Sequence, residues 1–295
     1  MSRPIAKLLA GFVIAAVVMV LAAVIWTLNQ PERPRVSLPN PNGYDELVKA
    51  GKFVTDNGSN YVTLELEGLR ALVNTNAKAL KMARTGLTYE SRVPLDYSTD
   101  FVRLPDLSDL KRLARAFTAE ARLAEVENRP GDAAQSCLDA IRVGYATSQG
   151  GLIIDSLVGV AIQAIGMVPL ERVIPSLDAK QCRELASSLE TAESHAPSAA
   201  AILEQEHTWS RQTYGLKGQL VRLVMYRSLQ QTEQKFLSKF KQQQLRTRKL
   251  IIQLAARAYE QEKNDRPRNL ADLVPEYLKA IPQDPLTGTN MVYRP

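Results

Sequence analysis

Nineteen consecutive residues without a charged side chain, Leu8 to Trp26, constrain this 295-residue chain more than any other feature. As a helix the run is about 28 Å long, close to the ~30 Å hydrocarbon thickness of a bilayer. Lipid offers no partner to backbone N–H and C=O groups, so a spanning segment of this kind must be helical. Trp26 stands at the far end, where an indole keeps its N–H in the interface. The rival reading is a cleaved signal peptide, whose apolar region runs about 7–15 residues and ends in a small-x-small site. Val24-Ile25-Trp26-Thr27-Leu28 is a poor site of that kind. The expectation is therefore a cytoplasmic leader over 1–7 and an uncleaved transmembrane helix over 8–28, with the lipid bilayer as its partner. Arg3 and Lys7 precede the run without an acid, whereas Arg33 and Arg35 follow it beside Glu32. That asymmetry predicts a cytoplasmic N-terminus and a body outside the cytoplasm. In a bacterium this is a single-pass inner-membrane protein with a periplasmic domain.

Pro31, Pro34, Pro39 and Pro41 follow within a few residues, so 29–43 reads as an extended, Pro-rich linker. From Tyr44 the hydrophobic periodicity is helical, and the fold class expected is all-α: a bundle or short helical array over 44–246. Asp45 to Val54 is a short helix with Leu47, Val48, Ala50 and Phe53 inward, ended by Asp56-Asn57-Gly58-Ser59-Asn60. Thr63 to Thr85 repeats Leu66, Leu69, Val73, Ala77 and Leu80 at spacings of three and four, one stripe against a core. Leu87 to Pro105 reads as a loop that Tyr89, Tyr97 and Phe101 pin to the helices. A helical hairpin follows. Leu107 to Asn128, capped by Ser108, buries Leu110, Leu113, Ala114, Phe117, Ala121 and Ala124. Asp132 to Thr147 buries Ala134, Cys137, Leu138, Ile141 and Tyr145. The hairpin resembles one tetratricopeptide-type helix pair, without a 34-residue recurrence.

Gly151 to Leu170 is a second apolar stretch. Asp155, Gln163 and Pro169 within it favour a central helix of the body over a second span, and Asp155 is expected to bond locally. Helices are further expected at about 178–194 and 197–214, then a long one with a break near Gly215-Leu216-Lys217-Gly218.

Charge is unevenly spread. Residues 32–210 carry 19 basic and 24 acidic residues, whereas 211–268 carry 14 and 4. The basic stripe includes Arg222, Arg227, Lys235, Lys239, Lys241, Arg246, Arg248 and Lys249. It either packs on the acidic half, stands in solvent, or meets anionic lipid headgroups. An extracytoplasmic address makes nucleic acid an unexpected partner.

The chain has only two histidines, His195 and His207, and no metal-ligand cluster, phosphate loop or nucleophile elbow. No catalytic, cofactor-binding or metal-binding residues are therefore assigned, and no cofactor is expected. Cys137 and Cys182, 45 residues apart, lie on apolar helix faces. Outside the cytoplasm they could form a disulfide; two buried free thiols are the alternative.

Over 247–295 a helix through Asn264 turns inward Leu250, Ile251, Leu254, Ala255, Ala258 and Tyr259. A capped turn at Asn269–Val274 follows, then Ile281-Pro282-x-Asp284-Pro285, Gly288 and Tyr293, with a short strand near Asn290. This tail resembles the C-terminal segment of the type II secretion major pseudopilins, over about the last 50 residues. The acidic calcium loop that follows in pseudopilins has no counterpart up to Pro295, so no calcium ligand carries over. Gly11-Phe12 is present, but Ala16 stands where a prepilin leader places glutamate. The chain as a whole resembles bacterial membrane-anchored proteins that carry this tail, a resemblance that implies no particular activity.

Together these features predict a membrane-tethered, non-enzymatic structural or interaction protein of the cell envelope with protein partners there. The alternatives are an accessory of a type II secretion or pilus-like assembly, and an envelope enzyme whose site is built from distant residues. A recess joining the 87–105 loop to titratable side chains would favour the enzyme.

Overall fold

The computed structural model describes residues 3–28, 37–55, 61–98, 104–224 and 226–293. Residues 29–36 of the linker, the turn at 56–60, Phe101 and the side chain of Arg222 lie outside that set. Two separate compact units are present, Met1–Ser37 and Leu38–Pro295.

The first unit carries one helix, α1 (Arg3–Leu28), 26 residues long. Its apolar side chains from Phe12 to Val24 are exposed.

The second unit is helical, and its described residues form no strand. Its helices are α2 (Gly43–Lys52), α3 (Leu66–Gly86), α4 (Leu104–Val126), α5 (Pro130–Ser148) and α6 (Ile153–Val173). They are followed by α7 (Ala179–Ser194), α8 (Ala199–Val224) and α9 (Tyr226–Lys263). Along the chain α2 packs on α3, α3 on α4, α4 on α5, α5 on α6 and α8 on α9; α7 packs instead on α5 and α9, and α4 touches both α2 and α6. The helix α5 is buried nearly all round because it feeds two cores. Cys137, Leu138, Ile141 and Tyr145 join α6, α7, α9 and the tail. Ala140, Val143 and Ala146 join α2, α3 and α4.

One described segment, Ile153–Ser176, is long and apolar enough to cross a membrane, with mean hydropathy 1.9. It is built into the body. Asp155 is fully buried and accepts the Leu152 N–H at 2.7 Å. Gly159 and Gly166 allow α5 to lie directly against it.

Six expected inward positions of α4 and five of α5 are all buried. Several other expectations are corrected. Phe53 is 47% exposed, with the Lys78 ammonium 4.4 Å above its ring, because α2 ends at Lys52 and the chain turns outward. In α3 the buried row is Leu69, Asn76, Leu80 and Ala83, leaving Ala77 exposed and Val73 half-buried. Asn76 can stand in that row because it accepts from the Thr55 N–H at 2.8 Å and donates to the Thr55 and Leu72 carbonyls. Ser108 lies inside α4, which begins at Leu104, and caps nothing.

The loop after α3 is held rather than free. Asn42 accepts from the N–H of Arg92 and donates to its carbonyl, and the Val93 N–H reaches the Gln149 carbonyl. Tyr97 is buried, whereas Tyr89 stands at the surface. The helix α8 has non-helical backbone at Gly215 (φ 52°), where the break was expected.

The boundary expected between 246 and 247 falls inside α9. The tail packs into the main core through Leu270, Leu273, Tyr277 and Leu278. Asn269 caps the turn Leu270–Leu273 by accepting the Ala271 N–H at 2.8 Å. The expected terminal strand is a single antiparallel bridge, Gln283 to Asn290, closed by Gly288 in the left-handed region.

Candidate functional site

The spacing of α9 divides the basic stripe between helix edges. Lys235, Lys239 and Arg246 share one edge. Arg246 reaches from it to Glu171 of α6 through paired bonds of 3.0 and 3.1 Å. Lys241 and Arg248 lie on the opposite side, where Arg248 pairs with Glu193 of α7 at 2.7 Å and donates to the Gln283 carbonyl. Arg227 and Lys249 are exposed. Part of the stripe thus joins acids of the preceding helices, and part faces outward.

Cys137 and Cys182 are free thiols within the same core. Burial pushes the Cys137 thiol up to about 12 and the Cys182 thiol up to about 11. Neither has thiolate character near neutrality.

Two open recesses among the described residues of the body gather charged side chains. The larger, about 620 Å³, is a groove between α3 and α5 floored by the C-terminal half of α4. Arg84 crosses it, bonding Asp139 at 2.9 Å and both carboxylate oxygens of Glu120. Ser136 donates to Glu120 at 2.7 Å. Burial opposes the Arg84 charge, but the bonds to Glu120 and Asp139 outweigh it and its pKa lies above the ordinary value. Burial also pushes the Asp139 carboxyl up, and Arg84 offsets only part of that. At the mouth, Glu127 bonds both Arg129 (2.7 Å) and Arg70 (2.9 Å), which hold its carboxyl below the usual range. Each guanidinium in this groove is matched to a carboxylate. The lining therefore offers alternating charges to a polar segment.

The smaller recess, about 410 Å³, lies between the 87–91 loop, α5 and the end of α7. Tyr89 and Ser91 line it from the loop, Arg142 from α5, and Gln149 and His195 from the residues that end α5 and α7. Arg142 donates to the Leu87 carbonyl at 3.2 Å, and Gln149 donates to the His195 carbonyl at 2.8 Å. His195 Nδ1 lies 2.7 Å from the Thr191 carbonyl, to which it donates a hydrogen bond. The 87–105 loop was a sequence signal for this place. Arg142 and His195 were not, because each is a single residue without a motif around it.

Among the described residues no group of three or more His, Cys, Asp and Glu side chains is gathered as metal ligands. No protein-family model matches the chain, and neither a curated protein nor a solved structure is significantly similar to it.

Proposed function

We propose that the chain is a membrane-tethered interaction protein of a bacterial cell envelope. In this reading α1 is the anchor, residues 38–295 form the binding body, and the α3–α5 groove is its protein-facing surface. The observation that carries it is α1 itself, a 26-residue helix whose central residues are apolar on every side. A helix of that character is either a core element or a membrane span, and among the described residues α1 is the one helix of its unit. The basic residues Arg3 and Lys7 in its first turns, ahead of the apolar run, support a cytoplasmic N-terminus and a periplasmic body. The matched charges of the groove suit recognition of an extended polar partner, since Ser136 and the three arginines are already committed to carboxylates, whereas the recess that joins the 87–91 loop to Arg142 and His195 favours the envelope-enzyme alternative.

Alkaline carbonate extraction tests the tether. The intact chain is expected in the membrane pellet, and its release into the supernatant would overturn the reading. A reporter fused after Pro295 reads the orientation and is expected to be active only outside the cytoplasm.

The C-terminal tail keeps a second reading in view, an accessory of a type II secretion or pilus-like assembly. It is supported by the turn from Asp284 to Gly288 and by the packed Leu270, Leu273 and Tyr277, the residues that carry the pseudopilin resemblance. Co-purification with envelope secretion components separates it from the first.

A further inference from the structure

We propose that the outer face of α4 and α6, with the adjoining edge of α9, rests on an anionic bilayer surface. The proposal builds on the tethered reading and adds which side of the body meets lipid. Ile154, Val158, Ala161, Ile165 and Val168 recur along α6 at spacings of four and three, so they form one stripe. Val158 and Ile165 are half-buried at its base, while Ile154 is 46% and Val168 54% exposed. Leu104 at the start of α4 is 66% exposed, on the side of α4 that carries Lys111. Val62, in the short turn whose Tyr61 bonds Thr118 of α4, is 59% exposed.

Cations border the stripe on both sides. On α4, Lys111, Arg115 and Arg122 follow one edge with Glu125, and Glu125 meets Arg172 of α6 at 2.8 Å. On α9, Lys235 and Lys239 share the edge of Arg246, which pairs with Glu171 of α6. The acids on the α4 and α6 edges, Glu125 and Glu171, are held by Arg122, Arg172 and Arg246, so Lys111, Arg115, Lys235 and Lys239 leave these edges net positive. Exposed aliphatic side chains flanked by lysine and arginine match a layer of acyl chains beneath anionic headgroups, and the long basic stems can lie along apolar surface. Charge complementarity therefore selects lipid over a neutral apolar partner.

The test uses the full chain reconstituted in vesicles, with a nitroxide on Val168→Cys or Ile154→Cys and a control at Glu184→Cys on α7, which is exposed. The buried native thiols take no label. With vesicles containing roughly one-third phosphatidylglycerol, the Val168 and Ile154 labels are expected to favour collision with oxygen over a water-soluble nickel chelate several-fold. The Glu184 label is expected to stay water-like. Lys235→Glu with Lys239→Glu should return the Val168 label towards water. A Val168 label equally open to the chelate in anionic and in purely zwitterionic vesicles would overturn the proposal. So would spin–spin broadening between Val168 labels that disappears on dilution with unlabelled chain, because a second copy would then cover the face. Carbonate extraction reads the tether independently, so either reading can fail alone.

Discussion

Gly144 of α5 and Gly159 of α6 place the two helix backbones in direct contact. A β-carbon built on either glycine would stand 2.6 Å from the carbonyl oxygen of the other. The same approach recurs about two turns on, where a β-carbon on Gly166 would meet the Cys137 carbonyl at 2.7 Å. Substitution of Gly159 by valine must therefore push α5 and α6 apart. Overpacking of this kind costs about 1–3 kcal/mol or more. The denaturation midpoint of Gly159→Val is expected to fall accordingly, with Gly215→Ala as a contrast whose effect comes from backbone conformation, since among the described residues no atom lies within 4 Å of a β-carbon there. An unchanged midpoint for Gly159→Val would mean the two helices are not in contact.

Arg84 is the hinge of charge in the α3–α5 groove. Removing it leaves Asp139, which is almost fully buried, without its cation. Breaking a buried pair costs roughly 3–5 kcal/mol, and Arg84 is 40% exposed, so screening brings the expected loss for Arg84→Met to about 1–3 kcal/mol. The double variant Arg84→Met, Asp139→Leu should recover a large part, because it removes the unpaired charge as well. A urea midpoint for the double variant below that of the single one contradicts this account.

Much of this architecture can be read from residue spacing, and the failures have definite causes. The inward rows of α4 and α5 are made of aliphatic and small residues at regular intervals, and every expected position is buried. In α3 the buried row passes through Asn76, whose amide is satisfied by Thr55 across a loop, so periodicity shifted the stripe onto Val73 and Ala77. Phe53 looked like a core residue because hydrophobicity cannot show that its helix ends one position earlier. Of the two recesses, only the loop side of the smaller one is legible in the sequence, through the 87–105 segment. Arg84, Glu120 and Asp139 come from three helices, and Arg142 and His195 are joined only by how α5 and α7 pack.

Several carboxyls share a sign that fixes how stability responds to pH. Burial pushes Asp139, Glu190, Glu193 and Glu206 up, in each case against a partner that only partly compensates. A carboxyl whose folded pKa is raised binds protons more tightly folded than unfolded, so its contribution favours folding at low pH and is lost as pH rises through the folded value. Glu206→Gln keeps an oxygen for the Ile153 N–H, which Glu206 accepts at 2.9 Å, and removes the charge. This variant should be more stable than the parent above the folded pKa of Glu206 and lose that advantage on acidification. Thermal midpoints across mildly acidic to neutral pH read the difference; parallel curves for parent and variant count against a raised Glu206.

The two cysteines offer a sharp chemical readout. With thiols pushed up to about 12 and 11 and buried, Cys137 and Cys182 should resist a maleimide at neutral pH while the body is folded. Denaturation without reductant should then release two reactive thiols per chain. Mass spectrometry after alkylation counts them, and finding none would show that the pair is bridged after all.

Leu254 sits where α9 meets the rest of the main core, fully buried beside residues of α5, α7 and the tail. An aspartate there would have to ionise without a partner or stay protonated, and an unpaired buried charge costs about 3–5 kcal/mol. Because the same cluster holds Leu250, Leu270, Leu273 and Leu278, the loss should reach the whole second unit rather than fray the tail alone. Leu254→Asp is therefore expected to lower the cooperative unfolding transition of the body as one event. Leu286→Asp, on a side chain 51% exposed in the tail, should leave it almost unchanged. Circular dichroism melts of both variants decide the matter: a separate low-temperature transition in Leu254→Asp, with the main transition in place, would mean that α9 and the tail fold apart from the other helices.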